Sequence, residues 1–215
     1  KCPPMKTDDL ISALAVTAGH ARSPTRGVAM MGLAGAVAAT VLIVAALGAR
    51  SDLAHMSGVA SLLGKGGYTL SLAVIGLLLL DRLGRPGASA RAAGRMLGLA
   101  VLAGAVAASI EVMTTPAAER MPMVMGRTAA SCPLLVTALG LVVLPPVFLA
   151  ARRFAPARPT LAGAAAGLFA GGLAATAYGV HCNEMAVSFL VVWYGLGVIG
   201  VTALGALIGR MTLRW

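Results

Sequence analysis

Two cysteines and a set of methionines are the residues of this 215-residue chain best suited to chemistry. Cys132 opens one long apolar stretch, and Cys182 lies in the tetrapeptide His181-Cys182-Asn183-Glu184 that joins two others. Met113, Met121, Met123, Met125, Met185 and the pair His55-Met56 fall in the same set of connections. Thiolate and thioether sulfur are soft donors that select Cu(I) and other thiophilic metals. Cys132, Cys182, His181, Met121, Met123 and Met125 are therefore a candidate ligand set for a transiently bound metal ion. A disulfide between the two cysteines is a second reading, allowed in an oxidising compartment. In the third, methionine fills irregular apolar space and cysteine packs as a small hydrophobe. Spacing does not choose among them, because two lone cysteines lack the C-x-x-C signature of a redox or zinc motif. No reading requires a resident cofactor, and no catalytic set is recognisable, so an enzyme is not expected.

A second group of residues points to a protein partner. Met5-Lys6-Thr7-Asp8-Asp9-Leu10-Ile11 predicts a helix over residues 7–18. Thr7 can cap it, and Asp8 and Asp9 occupy the first turn, where the helix dipole favours negative charge. Leu10, Ile11 and Leu14 share one apolar stripe. A helix this short is not stable alone in water. Adjacent acids are unlike the Lys- and Arg-rich polar face of a membrane-surface helix, which stands as the alternative. Thr7, Asp8, Asp9, Leu10, Ile11 and Leu14 are accordingly the expected partner-binding residues.

These residues must be positioned by a membrane scaffold. The chain is 59% hydrophobic and 11% charged, against about 25% charged in a soluble domain. Aromatics are 4%, and no alternating ten-residue segments appear, which excludes a membrane β-barrel. A helix needs ~20 apolar residues to cross a ~30 Å hydrocarbon core. Four long charge-free stretches and two shorter ones, 66–80 and 96–110, supply six spans, at about 27–49, 61–80, 96–113, 128–151, 160–180 and 186–209. The second and third reach membrane length if Lys65 and Glu111 extend to the interface; a re-entrant hairpin is the alternative for that pair. The expectation is an all-α polytopic protein with an N-terminal segment 1–26, a six-helix domain 27–209 and a tail 210–215.

Thirteen of the seventeen Lys and Arg residues fall on the side of the N-terminus, leaving Arg50, Lys65, Arg120 and Arg127 on the other. By the positive-inside rule both termini are cytoplasmic. The net charge of +10 is then a topology label and not a nucleic-acid surface. The first apolar run is too long for the core of a cleavable signal peptide, and Met5 reads as the natural start. Gly163, Gly167 and Gly171 form a row in the fifth span that Gly205 and Gly209 echo in the sixth. Such rows let backbones approach closely and are expected to join neighbours within the chain. Pro145-Pro146 is expected to break the fourth span, and Trp193-Tyr194 to form either an interfacial belt or a cap over the cysteines.

The opening heptapeptide, together with Arg158-Pro159-Thr160-Leu161-Ala162-Gly163, Gly171-Gly172, Tyr178, His181-Cys182, Glu184, Phe189, Trp193-Tyr194 and Gly197, resembles the NrsF family of bacterial inner-membrane anti-sigma factors. The similarity runs from Met5 to Trp215, although Asn183 stands where Pro is common. The resemblance implies a protein that holds an extracytoplasmic-function sigma factor inactive at the inner membrane. It also implies that Cys132 and Cys182 report metal or oxidative stress. The competing expectation is a small metal or solute transporter that uses the Met- and Cys-rich face as its entry.

Overall fold

In a bilayer every backbone N–H and C=O must find its partner within the protein, which leaves long apolar segments the choice of helix or closed barrel. The computed structural model describes residues 7–9, 12, 24–54, 56–85 and 87–213, and every regular element among them is helical. The long helices are α1 (Pro24–Leu47), α2 (Met56–Leu83) and α3 (Arg91–Thr114). After the short α4 (Ala117–Met125) come α5 (Cys132–Ala151), α6 (Pro159–Gly179) and α7 (Val187–Thr212). Six of these, all but α4, are long and apolar enough to cross a membrane. One 3-10 turn, Ser51–Ala54, links α1 to α2.

α6 is the axis of the bundle. Sixteen of its 21 residues are buried, and it packs against α7, α2, α5 and α1. Its glycine row explains the first of these contacts. A methyl at Gly163 would lie 2.7 Å from the Gly209 Cα and closer still to the Gly205 carbonyl, and one at Gly167 would lie 2.6 Å from the Val201 carbonyl. A second approach lies on the face towards α2, where a methyl on Gly172 would meet the Ala73 nitrogen at 2.6 Å. α3 sits at the rim, with Leu99, Leu102, Val106 and Ile110 exposed. A soluble protein rarely presents such a continuous apolar surface; lipid is its natural solvent.

Two expectations are corrected. α2 begins at Met56, so Lys65 is not an end residue of the helix but lies well inside it and is 5% exposed. Its ammonium turns inward to a carbonyl instead. α5 is not broken at Pro145-Pro146 and runs on to Ala151. The prolines remove the N–H groups that would serve the Leu141 and Val142 carbonyls. Neighbouring helices hold the segment regardless, and Pro146 packs on Gly35 of α1. Of the expected partner helix, Thr7, Asp8, Asp9 and Ser12 are helical and exposed; Leu10, Ile11 and Leu14 lie outside the described residues, as does His55.

Candidate functional site

Six antiparallel crossings put the end of α1, the start of α2, the end of α3, α4, the start of α5, the end of α6 and the start of α7 at one end of the bundle. Pro24, the start of α1, is at the other. Cys132 is the first residue of α5, and Cys182 follows α6 by three residues. Both are buried, at 0% and 4% exposure, and both are free thiols, so no disulfide joins them.

The pocket around them is aromatic. Tyr178, from the last turn of α6, brings its hydroxyl beside both thiols. Its ring lies 5.3 Å from that of Tyr194, and Phe189 meets Tyr194 edge-on at 6.5 Å. Tyr194 is almost completely buried beside Cys182, yet its hydroxyl makes no well-formed hydrogen bond. It is delivered there by a π-helical turn, Leu190–Tyr194, inside α7. Such turns insert one residue into the helical register and recur at functional sites. Trp193, on the same turn, points elsewhere and donates to the Val124 carbonyl at 2.8 Å, tying α4 to α7. Of the expected Trp-Tyr pair, Tyr194 therefore closes the pocket and Trp193 braces it from outside.

A shell of polar bonds encloses this pocket. Lys65 donates to the Cys182 carbonyl at 3.1 Å and stands 6.0 Å from the Tyr194 ring centre. His181 Nδ1 bonds the Gly48 carbonyl at 2.8 Å. A carbonyl can only accept, so Nδ1 carries the proton and Nε2 is the nitrogen left as a possible ligand. The Arg50 amide donates to the Val180 carbonyl at 3.0 Å, while its guanidinium pairs with Asp52. That hydrogen-bonded pairing holds the Asp52 carboxyl below its usual range. Glu111 of α3 accepts from the Val187 and Ser188 amides at 2.9 and 2.7 Å, capping α7 with a carboxylate from another helix. Glu184 accepts from the Arg127 amide at 2.7 Å. Gly126 makes room for it: its φ of 52° is in the left-handed region, and a methyl there would lie 2.8 Å from the Glu184 carboxyl carbon and from the Phe189 ring.

The six expected metal ligands are not gathered into one donor set. Cys132 and Cys182 come together, with His181 close by against the Tyr178 ring at 5.9 Å. Met121 and Met125 are exposed on α4, and the Met123 sulfur accepts from the Thr115 hydroxyl at 3.5 Å. Among the described residues, no three His, Cys, Asp or Glu side chains form a metal cluster. Two adjacent thiols can nevertheless bind a soft ion after losing their protons, or be oxidised together. Sequence reasoning missed Lys65 and Tyr178 as parts of this site, whereas Glu111 was already a candidate as a charge on this face. A charge or a hydroxyl near the end of an apolar stretch was the available signal.

The comparisons with known proteins agree with this architecture. Residues 13–215 match the family model described as NrsF, negative regulator of sigma F. The Anti-sigma-F factor NrsF of Caulobacter vibrioides (strain NA1000 / CB15N) is 41% identical over 220 residues, covering 98% of this chain and 100% of the relative. The Probable anti-sigma-F factor NrsF of Azospira oryzae (strain ATCC BAA-33 / DSM 13638 / PS) is 40% identical over 218 residues, with 98% and 100% covered. No solved structure gives a significant match. A six-helix bundle carrying a buried thiol pair, matched along nearly its whole length, thus belongs to the NrsF family of negative regulators of sigma F.

Proposed function

We propose that this chain is an inner-membrane anti-sigma factor. It holds an extracytoplasmic-function sigma factor through its N-terminal segment and releases it when Cys132 and Cys182 react with a thiophilic metal ion or an oxidant. The observation that carries this reading is the pair of free thiols buried together, at the end of the bundle opposite the start of α1. Family membership supports the sigma-factor partner. The excess of Lys and Arg on the N-terminal side supports a cytoplasmic N-terminus.

The mechanism follows from the packing. Oxidation would join the two Sγ atoms, sending two protons and two electrons to the oxidant. A soft metal would replace the two thiol protons and draw the sulfurs together. Either event displaces the Tyr178 hydroxyl, which lies beside both thiols, and moves the start of α5 against α6 and α7. The shift reaches the loops at 81–95 and 152–159 and frees the Thr7, Asp8, Asp9, Leu10, Ile11 and Leu14 contacts. The demand is modest, since a coupling of ~1–3 kcal/mol changes affinity between about 5- and 150-fold.

The test has two arms. A sigma factor co-purifies with the intact protein and is lost when residues 6–18 are deleted. The double variant Cys132→Ser, Cys182→Ser keeps repression and loses induction. Induction that survives in the double variant removes the thiols from the mechanism.

A further inference from the structure

A cavity of about 450 Å³ opens sideways between α2, α3 and the start of α7, at the depth of the thiol pocket. Ala103 and Ala107 of α3, Tyr68 of α2, and Val187 and Leu190 of α7 supply its largely apolar wall. Two polar groups break that wall. Ser61 presents a buried hydroxyl without a hydrogen-bond partner. Lys65 has three ammonium donors, and the one partner it is seen to engage is the Cys182 carbonyl.

Among the described residues Lys65 also lacks a counter-ion. The carboxylates within its electrostatic reach, Glu184 and Asp52, are committed to the Arg127 amide and to the Arg50 guanidinium. Among the described residues its ammonium forms no ion pair. An unpaired charge inside a membrane span is costly and marks a functional site by default. The missing partner has a definite chemistry: a negative headgroup to meet Lys65 and the Ser61 hydroxyl, and an apolar body to fill the cavity. The volume lies in the lower part of the 300–1,000 Å³ range of small-molecule pockets, which suits one acyl chain and not two.

We propose that this lateral cavity binds a single-chain amphiphile with an ionised carboxylate, a free fatty acid from the surrounding bilayer, through Lys65 and Ser61. The same Lys65 ammonium holds the Cys182 carbonyl, so an occupant that recruits it loosens the thiol loop. The protein would thereby read the state of the membrane at the site where it reads thiol chemistry.

The experiment uses the full-length protein in phosphatidylcholine vesicles, at a pH where the acid is ionised, with electron paramagnetic resonance reporting the motionally restricted fraction of each probe. The probes are spin-labelled stearic acid, its methyl ester and spin-labelled phosphatidylglycerol. The intact protein retains the acid over the ester by roughly tenfold, the factor expected of one charge-assisted hydrogen bond. Lys65→Met equalises acid and ester. Ala107→Trp fills the cavity from its exposed wall and lowers the restricted fraction of both. Equal retention of acid and ester by the intact protein overturns the proposal, as does a preference that survives Lys65→Met or Ala107→Trp. Stronger retention of phosphatidylglycerol than of the acid overturns the single-chain assignment. Should Lys65→Met fail to fold, the comparison of acid with ester on the intact protein and on Ala107→Trp decides the question.

Discussion

The two ends of this bundle are held together by different forces. At the thiol end the helices are joined by directional polar bonds: Lys65 to the Cys182 carbonyl, His181 to Gly48, Glu111 to the start of α7, and Trp193 to Val124. At the opposite end α6 and α7 meet backbone to backbone at Gly163, Gly205 and Gly209, and Phe154 lies on Gly84. There, among the described residues, the polar tie between helices is the Asp81 carboxylate, which accepts from Thr25 while pairing with Arg85. The contrast separates two jobs. A hydrogen bond is made or lost by a change at one group, so the thiol end can respond to a discrete chemical event. Close glycine packing has no such switch; it holds α6 and α7 in fixed register.

The sharpest way to break this division is Gly163→Leu. Its side chain would have to enter the space held by the Gly205 and Gly209 backbones, and overpacking that cannot relax costs about 3 kcal/mol or more. The thermal unfolding midpoint in detergent should fall further than for any change at the thiol end. A midpoint close to the parent's would mean that polar bonds alone keep α6 on α7.

Glu111→Ala comes next. It strips the Val187 and Ser188 amides of their acceptor, an effect of about 1–2 kcal/mol. Because it loosens the thiol end, the proposed mechanism predicts that sigma-dependent reporter expression rises without inducer. An unchanged uninduced level would remove the α7 cap from the signal path.

Trp193→Phe keeps the ring packing and removes the bond to Val124, a loss of about 1 kcal/mol. The expected result is a small drop in midpoint with greater protease sensitivity in α4. Protection of α4 equal to the parent's would show that another contact holds it.

Asp81→Asn should have the smallest effect. Arg85 is largely exposed, where ion pairs contribute between about 0 and 1 kcal/mol, and Asn still accepts from Thr25. A destabilisation matching that of Glu111→Ala would mean that the glycine end also depends on polar ties.

The spans were legible because a run of apolar residues without charge has one stable form in lipid, and the parity of six crossings brings Cys132 and Cys182 to the same end. The glycine row of α6 was legible by its spacing of four, as was the helix it meets. Lys65 was not. At the edge of an apolar stretch a lysine reads as an interfacial anchor, and nothing near it in the chain reveals that the helix starts nine residues earlier. Pro145-Pro146 misled for a related reason. Proline's local cost is known in advance, whereas the packing that absorbs it comes from α1.

The sequence by itself determined the solvent, the number and direction of the helices, and the end at which the thiols lie. These depend on composition, length and order along the chain. Only the tertiary structure decided what surrounds the thiols: Tyr178 set beside both, Tyr194 turned inward by a π-helical turn, Lys65 beneath the Cys182 carbonyl, and Glu111 capping α7 from across the bundle. These contacts depend on how far each helix is rotated about its axis and on which neighbour it meets. In a chain so uniformly apolar that rotation is set by close packing between distant residues and by the few buried polar groups that must find partners, and neither is written in local order.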